Sequence, residues 1–166
     1  EIRPRDWSSD VCSSDLPLSG RRGLTVTGLD DLEAAISLEV GGAFTAEKEG
    51  ANLSVPVGPS WSLVGSLASR ASRGHELLLG PKRQQEEVWT VQIPAGHRVL
   101  STPKSTHLTT AFGEYRLDVV QEGNKVTVTT RLAITQSRIG PADYAAFRSF
   151  AQAVDASSGT RLLIGP

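Results

Sequence analysis

Polar and apolar residues alternate through much of the chain, most regularly in its second half. Side chains of a β-strand point alternately to opposite faces, so this period of two predicts half-buried strands. Gly123-Asn124 separates two long alternating segments and predicts a hairpin. The segments predicted as extended are 24–27, 34–40, 43–48, 53–57, 88–93, 97–100, 106–112, 115–119, 126–134 and 161–164.

The period changes to that of a helix in two places. A short helix is predicted over about 61–72, with Ser60 as its N-cap. A second, amphipathic helix is predicted over about 141–155, because Pro141 suits a first helical turn and an aromatic stripe follows it. Residues 81–83 are predicted as a solvated loop within the polar stretch 81–85, and the next strand is predicted to begin at residue 88. The residues at helical spacing are Trp61, Val64, Leu67, Ala68 and Ala71 in the first helix, and Tyr144, Phe147, Phe150, Ala151 and Val154 in the second.

These elements predict a mainly β protein. Many short strands joined by turns favour antiparallel sheets that pack face to face. We therefore predict an antiparallel β-sandwich, immunoglobulin-like, with one short helix and one C-terminal amphipathic helix. The later helix is expected to cover an open edge or end of the sandwich.

The first sixteen residues do not share these patterns. Residues 6–16, DWSSDVCSSDL, resemble the translation of a widely used sequencing adapter. We interpret residues 1–16 as an adapter-derived artefact that is expected to be disordered and is excluded from fold reasoning. Residues 17–166 are expected to form a single domain, as a metagenomic fragment of a larger protein. The one cysteine, Cys12, lies in the artefact and is removed from the candidate chemistry.

The charge balance gives no support for a nucleic-acid partner. The chain has 17 basic and 18 acidic residues, and leaving out the two basic and four acidic residues of the artefact gives 15 and 14. A nearly neutral domain lacks the basic surface that binds phosphate backbones or anionic membranes. No apolar run approaches the roughly 20 residues of a membrane-spanning helix, so membrane insertion by this fragment is not expected.

Two sets of residues suggest chemistry, and neither has the spacing or sequence context that the chemistry requires. His75, His97 and His107 lack the close spacing of a helical zinc site, so no metal is predicted. Ser101 and Lys104 fit the S-x-x-K signature of serine-lysine hydrolases, which places the two side chains one helical turn apart. Pro103 and the surrounding strand-like sequence favour a turn instead. No catalytic residue and no cofactor site are predicted.

Three short motifs carry a family resemblance. In order they are IPAG at 93–96, FGEY at 112–115 and IGPADYAAFRSF at 139–150, with the hairpin at Gly123-Asn124 between the last two. Together they resemble the C-terminal β-sandwich domain, a domain of unknown function, of bacterial exported transglutaminase-like proteins with a papain fold. The resemblance is best supported over residues 88–164.

The resemblance implies a parent protein with a β domain, then a papain-like transglutaminase core, then this domain. The Cys-His-Asp triad of such a core has no matching position here, so the fragment is expected not to be an enzyme. It is expected to be an accessory module that packs on its own upstream transglutaminase-like domain or presents substrate to it. A periplasmic or otherwise extracytoplasmic location is implied. The alternative is a stand-alone hydrolase that uses Ser101 and Lys104.

Overall fold

The computed structural model describes residues 18–44, 46–59 and 61–166. It divides into two compact units, Glu1–Ala46 and Glu47–Pro166. The artefact assigned to residues 1–16 and the N-cap assigned to Ser60 lie outside the described residues, and the single domain expected over 17–166 stays a prediction.

A single hairpin forms the described part of the first unit. β1 (Leu18–Thr27) pairs antiparallel with β2 (Ser37–Phe44), and the register opposes Val26 to Leu38. Gly28 follows β1 with φ +84°, and a Cβ there would lie 2.3 Å from the carbonyl oxygen of Ala35. Only glycine meets both requirements, so this residue fixes where the first strand ends.

The second unit contains two four-stranded antiparallel sheets, which agrees with the predicted β-sandwich class. One sheet has the order β6-β10-β9-β8, and the other has the order β3-β4-β12-β7. The first consists of β6 (Arg83–Gln92), β8 (Thr106–Thr110), β9 (Gly113–Glu122) and β10 (Lys125–Ile134). The second consists of β3 (Glu47–Glu49), β4 (Asn52–Pro56), β7 (Arg98–Ser101) and β12 (Arg161–Gly165). β5 (Leu77–Leu78) and β11 (Arg138–Ile139) form a short separate ladder.

The core of this unit is made by the inward faces of the strands and by one helix. Side chains at alternate positions of β10 are buried while those between them are more exposed, as the period of two predicts. Helix α2 (Tyr144–Ser158) buries its aromatic stripe, and Phe147 meets Phe112 edge to face with ring centroids 5.7 Å apart. The expected docking of this helix through its apolar face is therefore confirmed.

The helix bounds differ from the predicted ones. α2 begins at Tyr144 because residues 141–143 form a turn, in which the N–H of Asp143 bonds to the carbonyl of Gly140. It continues to Ser158 and ends at Gly159. The first helix, α1 (Leu63–Leu67), is much shorter than the predicted 61–72, and its N-cap is Ser62.

Tertiary contacts explain why α1 ends early. Beyond it, the carbonyl of Arg70 accepts a 2.7 Å hydrogen bond from the hydroxyl of Tyr144. A carbonyl bonded to another element in this way holds the chain in a non-helical path, which overrides a weak helical pattern.

The loop predicted over 81–83 is wrong at its last residue, and the strand predicted from residue 88 begins earlier. β6 begins at Arg83 and runs for ten residues. Its first half is polar because β6 is an edge strand whose inward face opens onto a groove, so those side chains are not enclosed by the core.

Candidate functional site

A groove lies between α1 and the β6 edge of the sheet in the second unit. It is a cavity of about 210 Å³ with an apolar side and a polar side. This volume is below the roughly 300–1,000 Å³ of pockets for drug-sized ligands, and suits a single amino-acid side chain. The lining residues are Trp61, Leu63, Ser66, Leu67, Arg83, Gln85 and Leu132.

One carboxylate organises the polar side of the groove. The indole N–H of Trp61 donates to Oε1 of Glu87 at 3.0 Å, and the amide of Gln85 donates to the same oxygen at 2.8 Å. These bonds hold the Trp61 ring against the sheet. Gln85 and Glu87 face inward, because they pair with the buried Leu132 and Thr130 of β10.

The opposite wall is held by α2. Asp155 accepts hydrogen bonds from the backbone N–H groups of Leu63 at 2.7 Å and Val64 at 3.0 Å. These are two of the N–H groups at the start of α1 that have no partner within the helix. A helix of five residues is not stable on its own in water, so α1 owes its position to α2.

A buried hydroxyl pair joins β9 to α2 in the core. The phenol of Tyr115 is fully buried and lies 3.0 Å from the hydroxyl of Ser158, which also bonds to the carbonyl of Val154 at 2.8 Å. Burial raises the pKa of Tyr115 above its ordinary value, the Ser158 bond opposes this, and the charge of Glu87 adds to it. The phenol is therefore a neutral structural group at physiological pH.

The residues that suggested a serine-lysine hydrolase are not arranged as one. Ser101 is the last residue of β7 and pairs with Leu163 of β12, whereas Lys104 lies in the following loop. Both side chains are exposed. The structure thus does not bring them together on one turn of a helix, which the chemistry requires.

The three histidines lie in different segments of the fold. His75 lies in a loop, His97 lies in the turn before β7, and His107 lies on β8. Within the described part of the chain, no three His, Cys, Asp or Glu side chains are placed to hold a metal ion. Neither described helix is long and apolar enough to cross a membrane.

One histidine belongs to a cluster that the sequence pattern did not indicate. Nε2 of His107 lies 2.8 Å from Oε1 of Glu114 and 3.3 Å from the hydroxyl of Thr109. A catalytic relay needs the carboxylate on one ring nitrogen and the hydroxyl on the other. Here both contacts fall on the same nitrogen and all three side chains are exposed, so the cluster is a surface cross-strand contact.

The sequence analysis does not identify the groove residues, because their local patterns predict other structural roles. Trp61 fits the apolar stripe of a predicted helix, and Gln85 lies in a polar stretch for which no strand is predicted. One signal could have found them: the alternation of Trp89 and Val91 extends backwards through Glu87 and Gln85 to Arg83. Polar residues at inward positions of a strand indicate an open edge or a site.

Residues 54–164 match the family model described as "Domain of Unknown Function with solved-structure structure (DUF3858)". The chain belongs to this family. The DUF3858 match begins in β4 and ends in β12, so it includes the whole groove and all four strands of the β6 sheet. The match includes residues 88–164, which carry the sequence resemblance, and begins earlier, at residue 54.

The DUF3858 fold is also similar to a crystal structure of a candidate protease from Parabacteroides distasonis. The TM-score is 0.55 at 16% sequence identity, and the similarity covers 69% of this chain and 23% of that chain. The chain therefore spans about a quarter of the solved protein's length. At this identity the likeness shows the fold alone. A comparison with curated proteins finds no match.

Proposed function

We propose that this chain is a non-catalytic accessory module of a larger bacterial enzyme. In that protein the DUF3858 domain follows a transglutaminase-like domain, and it packs on that domain or presents a polypeptide to it. The parent is exported, so the module works outside the cytoplasm. Its partner is its own upstream domain, and it requires neither a cofactor nor nucleic acid.

One observation supports this proposal above the others: the similarity covers only a minor part of the solved Parabacteroides distasonis protein. The similarity takes up 23% of a protein described as a candidate protease. More than three quarters of that protein lies outside the similarity and has room for a catalytic domain. The fold has therefore been observed as a minor part of a larger chain, which is the arrangement expected of an accessory module.

Residues of the family-like motifs have structural roles, which supports the proposal. Gly96 turns the chain between β6 and β7 with φ +80°. Gly113 starts β9 where a Cβ would lie 2.0 Å from the carbonyl oxygen of Ala133. Phe147 is buried at the centre of the α2 stripe. These residues support a role in architecture, because each one serves a turn, a close backbone approach or a core contact.

The test compares the parent protein with and without this module. A longer gene would be recovered from the same source, and the parent would be produced with residues 54–164 present or deleted. Amine incorporation into glutamine peptides, deamidation and proteolysis would be measured. We expect turnover from the parent alone and none from this chain, and we expect the deletion to raise KM or to destabilise the upstream domain.

Two outcomes would contradict the proposal. The first is a longer gene that encodes no papain-like domain upstream of this segment. The second is turnover by this chain that is lost when Ser101 is replaced by alanine, which would favour the stand-alone hydrolase.

A further inference from the structure

Strand β6 is a long regular edge that no described strand covers. It stands at one end of the order β6-β10-β9-β8 and is ten residues long, with no register shift against β10. The opposite edge, β8, has only five residues. Proteins ordinarily shorten, bulge or cover such edges, or place charged side chains on them, because unpaired backbone groups bind other strands. β6 is neither shortened nor bulged.

The unpaired backbone groups of this edge can be assigned by residue. The N–H of Ile93 donates to the carbonyl of Asn124, so the odd-numbered residues of the regular pairing face β10. The even-numbered residues present their N–H and C=O groups to the outer edge, and their side chains lie on the outward face of the sheet. These residues are Gln84, Glu86, Val88, Thr90 and Gln92.

The inward side chains at this edge depart from the sandwich pattern. Arg83, Gln85 and Glu87 occupy three successive inward positions, opposite Ile134, Leu132 and Thr130 of β10. Inward positions of a sandwich are normally apolar. The departure coincides with the groove beneath Trp61, so an edge able to accept a strand lies directly beside a cavity of side-chain size.

We propose that β6 binds an extended polypeptide segment, which adds to the sheet as an antiparallel strand. The peptide places an apolar side chain opposite Gln85 and into the groove. An acidic side chain two residues later lies opposite Arg83, and a basic side chain two residues earlier lies opposite Glu87. This edge would be the surface by which the accessory module holds a polypeptide. The inference therefore rests on the proposed function.

Charge complementarity selects this occupant. Arg83 is exposed and forms no ion pair with a described residue, whereas the neighbouring outward Glu86 is already paired with Arg131. Glu87 accepts two hydrogen bonds but forms no ion pair with any residue that the structure describes. A strand that carries basic, apolar and acidic side chains at alternate positions satisfies all three inward positions, but only when it runs antiparallel to β6. Main-chain bonds supply affinity in such strand addition, and the pockets supply specificity.

The experiment uses the full chain and a short peptide with Lys, Leu and Glu at alternate positions and threonine between them. Backbone amide NMR shifts of the chain would be followed during titration. We expect saturable shifts in β6 and α1. The same peptide with Lys and Glu exchanged reverses the charge order and serves as the matched control, and it is expected to bind about tenfold more weakly.

Two modifications separate strand addition from other modes of binding. N-methylation of the threonine amides, which would face β6, should abolish binding, whereas N-methylation of the Leu amide should not. Arg83→Glu should weaken binding about tenfold, and replacing the peptide's Glu by Lys should restore it. Arg83 is exposed, so this variant is expected to remain folded.

Three results would overturn the proposal. Absence of binding at millimolar peptide would mean that the edge charges only prevent pairing. Binding that survives methylation of the threonine amides would mean that the groove acts without the edge. Self-association of the chain that shifts the same β6 amides would mean that the occupant is a second copy. Because these measurements use the chain alone, their failure leaves the accessory role to its own test in the parent protein.

Discussion

Asp155 of α2 accepts a 2.7 Å hydrogen bond from the hydroxyl of Ser62, the residue that caps α1. The two residues lie more than ninety positions apart in sequence. The Ser62 hydroxyl oxygen in turn accepts a 2.8 Å bond from the N–H of Gly65. One carboxylate therefore completes the cap of another helix, and the wall of the groove depends on a contact between distant parts of the chain.

Replacing Asp155 by asparagine should destabilise the protein by about 2 kcal/mol. The carboxylate accepts three hydrogen bonds at the positive end of α1, and bonds to charged groups contribute about 1.5–3 kcal/mol. The amide keeps the shape but turns one acceptor into a donor that faces N–H groups. Urea unfolding at neutral pH measures the change.

Asp143→Asn is the matched control for this variant. Asp143 stands at the start of α2 but makes no side-chain capping bond, so its replacement should cost no more than about 1 kcal/mol. Equal unfolding midpoints for Asp155→Asn and the unmodified protein would show that the cap contributes nothing.

Replacing Phe147 by alanine should cost about 3–5 kcal/mol. The ring is fully buried and packs edge to face on Phe112, so its removal leaves a cavity against the sheet. Domains of this size have a total stability of about 5–15 kcal/mol, so much of the population could unfold at elevated temperature. Phe147→Leu should cost less than about 1.5 kcal/mol, because it retains most of the apolar volume.

Urea unfolding of both Phe147 variants, with circular dichroism as the readout, measures this difference. An unchanged midpoint for Phe147→Ala, together with lost binding to the upstream domain, would show that the stripe acts as an interface. The assignment of this helix to the core would then be wrong.

The sequence predicts the strands correctly wherever one face of the strand is buried and the other is exposed to solvent. β9 and β10 are predicted correctly because polar and apolar residues alternate along them, which indicates one buried face. Gly123-Asn124 indicates the turn between them. The α2 stripe was found for the same reason. The start of β6 is not predicted, because an edge strand beside an open groove has polar side chains on both faces at that end. The polar–apolar alternation that indicates a strand is therefore absent there.

The groove could not have been assembled from sequence alone. Trp61 and Glu87 are 26 positions apart, and their contact depends on where α1 lies. That position depends in turn on Asp155, whose role no local pattern reveals. Local periodicity specifies which face of an element is buried, but it does not specify which distant element covers that face.

Raising the pH through about 10 should destabilise the protein through Tyr115. Burial raises the pKa of Tyr115 in the folded state above its unfolded value. Below the unfolded pKa the phenol is neutral in both states, so its contribution to stability is complete. As the pH rises towards the folded pKa, only the unfolded state ionises, and stability is lost.

The check is urea unfolding across that pH range for the unmodified protein and for Tyr115→Phe. The variant should lose about 1 kcal/mol at neutral pH, because Ser158 loses its phenol partner. It should also show a shallower decline at alkaline pH, since the other ionisable groups are common to both proteins. Parallel declines in the two proteins would mean that Tyr115 does not control the alkaline transition.

Replacing Ser101 or Lys104 by alanine should leave every measured property of the chain nearly unchanged. Ser101 ends β7 and Lys104 lies in the following loop, so the two residues are not held one helical turn apart, as proton transfer from the hydroxyl to the amine requires. Both side chains are exposed, and surface substitutions of this kind change stability by about 0.5 kcal/mol or less. Assays of ester, β-lactam and glutamine-peptide turnover should give the same background rate for the unmodified chain and both variants. A rate above background that falls in both Ser101→Ala and Lys104→Ala would show that the loop rearranges into a working serine-lysine pair. The module would then have to be treated as an enzyme in its own right.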